Sequence, residues 1–383
     1  MWQALQPHLS IAGGPFACEP AVLTRAGTRR GVLSLFIPDL SVLALLITLL
    51  YCLFLFEGYQ KLFRDSDTGW HIRTGETILA TGALPHSDPY SFTRLGQPWF
   101  AWEWGADVLM GGVHRLAGTA GVAMLYALVI ASCTWLWFQL TWASGGNFLL
   151  AAALAGPMLS TSNIHWLARP HVLSWVFLLV AVIVAERASR RDLGLWWLAA
   201  LPFTALWTNI HASFFFAPLI ALVYAAGTVA RAQIWGITVA GRARWFLLAA
   251  VAAAAGSLIN PYGWQLHQHL FVYLTNADLM ARIGEFQSFN FHAEGAFQIL
   301  LTVAVGMLGG VLALGQGKVA QFLLSVILVG AALRSARGLP LVALIVLPLA
   351  CGAITEGLAK ARGLRPAVRR SLDRFLAYSE RLR

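Results

Sequence analysis

The chain reads as an all-α, polytopic transmembrane helix bundle of about ten spans. Of its 383 residues 58% are apolar and 11% are charged. Mean hydropathy is +0.67. Long apolar runs recur between short polar breaks, and at 1.5 Å per residue each reaches across most of a hydrocarbon core of about 30 Å. In chain order the spans fall at 39–57, 119–142, 147–163, 170–186, 193–208, 212–230, 244–259, 296–315, 319–334 and 339–357.

Residues 1–38 lack the charged, apolar and small-residue succession of a cleaved signal, so they are expected to form a cytoplasmic lead ahead of a self-anchoring first span. The transmembrane domain runs from 39 to 357, and its first outer loop, 58–118, carries interfacial helices. Residues 358–383 form a basic tail in which Leu364, Val368, Leu372 and Phe375 recur at helical spacing among arginines. Such a helix lies on the inner leaflet or docks a cytoplasmic partner. Cys52, Cys133 and Cys351 fall in spans and Cys18 in the lead, which provides neither a disulfide framework nor a CxxC metal site.

Lysine and arginine accumulate on the cytoplasmic side of membrane proteins. With both termini inside, 18 of the 27 basic residues lie on inner segments, among them Arg25, Arg29, Arg30, Arg187, Arg190, Arg191, Arg231, Arg242, Arg244 and Lys318. The net charge of +10 is thereby explained by topology and anionic lipid, with no nucleic-acid partner. His71, His86, His114, His165, His171, His211, His267, His269 and His292 fall instead in or beside outer segments, and only His8 does not. The chemistry is expected to face away from the cytoplasm.

The first outer loop opens with "RDSDTGWHIRTGE", residues 64–76. Asp65 and Asp67 form an Asp-x-Asp pair that binds a divalent cation such as Mg or Mn, supplies a base, or pairs as a solvated turn with Arg64 and Arg73. The following residues place Ile72, Ile78 and Leu79 on one side and Arg73 and Glu76 on another, the pattern of an interfacial helix. Trp99, Trp102 and Trp104 then mark a headgroup layer, and Glu103 and Asp107 sit four apart on one helical face. Ionisable groups near apolar surroundings need partners. Candidates stand at the other outer junctions: "NIHWLARPH" at 163–171, "WTNIHASF" at 207–214, "NPYGWQLHQH" at 260–269, "IGEFQSFNFH" at 283–292 and "RSARG" at 334–338. A histidine-ligated haem or copper reading of His267 and His269 fails, because residues two apart on a helix diverge.

The series D-x-D-x-x-W-H-x-x-x-G-E, P-x-x-D-P-x-S-F-T-x-x-G-x-P-W, E-W, R-P-H, W-x-N-x-H, N-P-Y-G and R-x-x-R resembles a bacterial family of polytopic membrane proteins related to GT-C glycosyltransferases. It covers residues 65 to about 340. "HASF" departs from a histidine followed by glycines, and "EFQSF" from E-W-x-S-P. The resemblance implies sugar transfer from a polyprenyl-phosphate donor to an acceptor on the extracytoplasmic side of a bacterial inner membrane. Asp65 and Asp67 match the acidic motif and are expected to be catalytic, as base or metal ligands. His71, Glu76, Glu103, His165, Arg169, His171, Asn209, His211 and Glu285 are expected to line the substrate cavity, with Arg334 and Arg337 clamping phosphate. A transporter or lipid-carrier flippase and a non-catalytic envelope scaffold are the rival readings.

Overall fold

The computed structural model describes residues 39–190, 194–237 and 242–382. The expected lead at 1–38 lies outside them, as do Arg25, Arg29, Arg30 and Arg191. Among the described residues the fold is all helical, with 79% helix and no strand. Five helices among these residues are long and apolar enough to cross a membrane: Trp104–Ser144, Pro170–Arg190, Ala212–Trp235, Ala296–Gly315 and Ala336–Lys360.

Each of the ten expected spans is occupied by helix, but the remaining five are shorter. They are α1 (Leu40–Leu53), α4 (Phe148–Ser162), α6 (Ala200–Thr208), α8 (Arg242–Gly256) and α12 (Val319–Arg334). Apolar composition outruns the helix where the backbone turns. After α1 the chain leaves helical geometry at Phe54, and Phe56 takes φ 56°. Ten apolar stretches thus resolve into five helices of spanning length and five short ones.

The first loop folds as expected into α2 (Asp67–Thr81), followed by α3 (Trp104–Ser144). Helix α3 is two rods joined at Gly118, whose φ of 62° is open to glycine and strained for other residues. The first rod lies against α2 with almost no space between the backbones. A Cβ on Gly75 would meet the carbonyl oxygen of Asp107 at 1.7 Å, and one on Gly111 would meet the amide nitrogen of Glu76 at 2.4 Å. This close approach sets His71 against Asp107 and Glu76 against His114.

In the core, the last apolar run is α13 (Leu339–Leu341), a π-helical stretch at Val342–Val346 and α14 (Leu347–Lys360) in continuous succession. Pro348 has no N–H to return to the carbonyl five residues back, which frees Ala343 O. The fully buried indole of Trp137 donates to that carbonyl at 2.9 Å, so the defect becomes a helix-to-helix bond. The tail forms α15 (Pro366–Leu382), with Val368, Phe375 and Tyr378 exposed and Ser379 accepting from Leu149 N.

If the Gly75 contact positions the first-loop helix, Gly75→Val should destabilise the protein by at least ~2 kcal/mol through overpacking. Gly69 on the same helix has open space around it, and Gly69→Ala should be neutral or stabilising by up to ~1 kcal/mol. Thermal unfolding of the two variants in detergent checks this, and equal midpoints would show that α2 is not docked through Gly75.

Candidate functional site

Helix α5 (Pro170–Arg190) begins with proline, a residue suited to the first turn because its missing N–H has no helical partner there. This start presents Arg169 to the first loop. Its Nη1 lies 2.9 Å from Asp65 Oδ2 and its Nη2 2.6 Å from Asp67 Oδ2. Nη1 also lies 3.6 Å from Glu285 Oε1. Burial opposes the Arg169 charge, but Asp67, Asp65 and Glu285 together hold its pKa above the ordinary value. The expected solvated turn is therefore not formed: Arg64 pairs with Glu57 and Arg73 with Glu76, while Asp65 and Asp67 turn inward to Arg169.

The two aspartates differ in what remains free. Asp65 accepts the Asp67 backbone N–H through Oδ1 at 2.8 Å and the guanidinium through Oδ2, so both oxygens are engaged. Asp67 lines a cavity of about 680 Å³, and Asp65 does not. The guanidinium stands between the carboxylates where a bridging divalent cation would stand. Among the described residues no cluster of three or more His, Cys, Asp or Glu is placed to hold a metal ion. With Arg169 already holding both carboxylates, the aspartate pair as arranged does not fit a cation.

A second cation, Arg337, reaches the same oxygen of Glu285. Arg337 Nη1 lies 3.7 Å from Glu285 Oε1, and its guanidinium sits over the Phe286 ring. His165 Nδ1 lies 3.7 Å from Glu285 Oε2. Burial drives the His165 pKa down to about 4 against the pull of Glu285. Arg169 is spent on Asp65, Asp67 and Glu285, whereas Arg337 has among the described residues only the longer Glu285 contact, so Arg337 is the guanidinium with capacity left for an anion.

A chain of alternating acids and imidazoles also reaches the cavity. Asp107 Oδ1 is 2.6 Å from His71 Nδ1, and His71 Nε2 faces Glu103 Oε2 at 3.8 Å. Glu103 Oε1 is 3.4 Å from His211 Nε2. His211 Nδ1 accepts the Ser213 backbone N–H at 3.1 Å, which puts the imidazole proton on Nε2, toward Glu103. Burial pushes His71 well below its ordinary pKa, with Arg169 adding to the shift. His211 is pushed down in the same way, by burial and then by Arg337 and Arg169. With neutral imidazoles on both sides, Glu103 is pushed up to about 7 by burial, with Arg337 and Arg169 opposing.

Of the expected site residues, the structure brings Asp67, Glu103, His165, Arg169, His171, His211, Glu285 and Arg337 to this one cavity. His71 sits behind Glu103, buried against Asp107. Three others lie apart from the lining. Glu76 is occupied by His114 at 2.7 Å and by Arg73. Asn209 accepts from the Trp104 indole and donates to Ala205 O and Ile259 O, which uses its amide to lock the platform. Arg334 is exposed at the end of α12.

Two lining residues, Asp107 and His269, escape a reading based on motif resemblance. The four-residue spacing from Glu103 is the sequence signal for Asp107. His269 stacks on Phe100 at 4.3 Å, while His267 turns away to Ser257 at 2.9 Å. The pair diverges, as residues two apart on a helix must.

His171 adds an open valence: its Nδ1 is buried with no hydrogen-bond partner among the described residues. The remaining walls, including Trp99, Trp102, Trp175 and Leu274, are apolar. The arrangement suits a ligand with an anionic group, hydroxyls and an apolar portion.

No protein-family model matches this chain, and no curated protein or solved structure matches it either.

The Glu103 shift sets a pH dependence. The folded state retains a proton that an ordinary carboxyl releases near 4.5, so this group's contribution to stability falls as pH rises from 4.5 to about 7. The buried histidines act in the opposite sense below 6.5, so the measurement is differential. Relative to wild type, the thermal midpoint of Glu103→Gln should move in the variant's favour between pH 5 and pH 8, by several degrees for a shift of ~1–2 kcal/mol. A difference that does not change with pH would mark Glu103 as an ordinary surface carboxylate.

Proposed function

We propose that the chain is a membrane-embedded, GT-C-type glycosyltransferase of a bacterial inner membrane. In this reading it has ten spans, both termini cytoplasmic and the active face outside. It moves a sugar from a polyprenyl-phosphate donor to an acceptor hydroxyl by inverting displacement. One observation carries the reading: a single cavity holds both a carboxyl poised near neutrality, Glu103, and a guanidinium, Arg337, whose one ion pair among the described residues is the 3.7 Å contact with Glu285.

Displacement at an anomeric carbon needs a base for the incoming hydroxyl and positive charge for the departing phosphate. A base works best when its pKa lies near the working pH, because it is then both ionised and basic enough to take a proton. Glu103 meets that condition. The Asp65 and Asp67 carboxylates are bound to Arg169, so their part is to position the guanidinium, with Asp67 exposed to the cavity. The acceptor oxygen forms its bond to the anomeric carbon as its proton passes to Glu103. The bond from that carbon to the phosphate oxygen breaks, and its electron pair leaves with the phosphate toward Arg337. Its fixed donors strengthen in effect as charge develops. His269, stacked on Phe100, and the neighbouring tryptophans offer aromatic surface to a sugar ring or polyprenyl chain.

A specific observation favours the rival carrier or flippase reading: a second polar cavity opens between the opposite ends of the same helices. A carrier would bind the lipid-linked sugar without releasing lipid phosphate.

Full-length protein in nanodiscs, supplied with a panel of polyprenyl-phosphate sugars and candidate acceptors, should release lipid phosphate at a rate that rises with pH through about 7. Glu103→Gln should slow release by roughly 10²–10⁴-fold and abolish that rise. Arg337→Ala should slow it by roughly 10²–10³-fold. A product that keeps the donor's anomeric configuration, or full turnover in Glu103→Gln, would sink the mechanism. Saturable donor binding without turnover would favour the carrier.

A further inference from the structure

The second cavity, about 550 Å³ in volume, lies at the far ends of helices that also line the first. On α5, Leu178 faces the first cavity and Glu186 the second, eight residues or about 12 Å apart along the axis. Helix α7 (Phe216–Trp235) borders the first cavity at Phe216 and the second at Tyr224, Gly227, Thr228 and Arg231. Among the described residues the walls of the second carry unbalanced charge: Arg190, Arg231, Arg242, Lys318 and Lys360 face it with Glu186 and Glu356.

Most of these charges already have partners. Glu186, 2% exposed, accepts from Tyr224 at 2.6 Å and Gln321 at 2.9 Å, and lies 3.4 Å from Arg190. Lys318 and Lys360 both pair with Glu356. Arg242 donates to the backbone carbonyls of Ser189 and Arg190. Arg231 is the exception, with no ion pair among the described residues and a buried Nε that lacks an acceptor.

Two acceptors beside it are also unused. The amide of Gln321, 4% exposed, is oriented by its bond to Glu186, and that of Gln316 by its bond to Ala353 O at 2.7 Å. Each therefore directs Oε1 elsewhere, and both oxygens are buried without a donor among the described residues. Buried polar atoms left unpaired are expensive and rare. A bare inorganic anion would satisfy Arg231 and leave the two carbonyls unpaired. Water alone would satisfy the carbonyls and leave the excess positive charge unmatched. A ligand that answers both carries an anion and hydroxyl donors.

We propose that this cavity binds a hydroxyl-bearing phosphate ester. Its phosphate sits at Arg231, inside the field of Arg190, Arg242 and Lys318, and its hydroxyls donate to Gln316 and Gln321. The glycerol phosphate headgroup of an anionic lipid and a free polyol phosphate share that chemistry. The site stands on its own lining and holds whether or not the first cavity transfers sugar.

The test uses full-length protein in a neutral detergent, titrated separately with glycerol 1-phosphate, phosphatidylglycerol and phosphatidylcholine in mixed micelles. Binding is read from the thermal midpoint and from retained ligand in native mass spectrometry. Saturable binding is expected for phosphatidylglycerol alone if the source is lipid, and for glycerol 1-phosphate as well if a free ester enters. Arg231→Gln should weaken it at least about tenfold, the loss of one charge-assisted contact. Gln321→Met tests the hydroxyl contact independently and should narrow the preference over phosphatidylcholine, whose headgroup has phosphate but no hydroxyl. Arg337→Ala, in the other cavity, should leave binding intact. The proposal is overturned if neither phosphate ester binds, if phosphatidylcholine binds as tightly, or if Arg231→Gln binds like wild type.

Discussion

The Arg169 guanidinium is the interaction on which the site depends. In a body with so few charges, an isolated carboxylate facing the bundle would be driven to protonate or to swing toward water. Arg169 offers several donors in one plane and draws Asp65, Asp67 and Glu285 to it. Those acids come from the first loop and from a loop more than two hundred residues later. One side chain therefore fixes how two distant parts of the chain meet, and the cavity forms where they meet. Its own charge survives burial because three carboxylates surround it.

The backbone supplies the rest of the geometry by close approach. Gly75 and Gly111 let α2 rest on the first rod of α3, and that contact carries His71 to Asp107 and Glu103. Gly118 then redirects α3 into the bundle, so one helix serves both the surface platform and the core. Dense packing and low polarity around these few ionisable groups have one electrostatic consequence. The histidines are held neutral and Glu103 is lifted toward neutrality, so acid and base strength are set by burial first and by neighbouring charge second.

The two cavities express the same economy of polar groups at the two ends of shared helices. In the first, two arginines share one glutamate and the histidines shield an acid. In the second, Glu186 is saturated by Tyr224, Gln321 and Arg190, while Arg231 is left over. The apolar helix lengths between them, with α5 residues such as Leu179 and Val182 fully buried, separate the two electrostatic environments.

Several features could be read from residue order because they depend on local periodicity. Apolar runs located helix in all ten expected stretches, the Ile72, Ile78 and Leu79 pattern located α2, and the four-residue spacing of Glu103 and Asp107 put them on one side, where the structure sets His71 between them. Helix length was less legible, since an apolar run continues past the point where backbone geometry ends the helix, as at Phe54–Phe56. Pairing was not legible at all: Asp65 stands next to Arg64 in the chain, yet it bonds to Arg169, 104 residues away. The same limit separates Asn209, whose amide is consumed in locking the platform, from His211 two residues later, which faces the cavity. The sequence by itself determined that this is a helical, apolar chain whose ionisable residues gather at helix ends. Only the tertiary structure decided which of them meet, because a charge in a low-dielectric bundle takes its partner by distance in space, and its pKa follows from that partner and from burial.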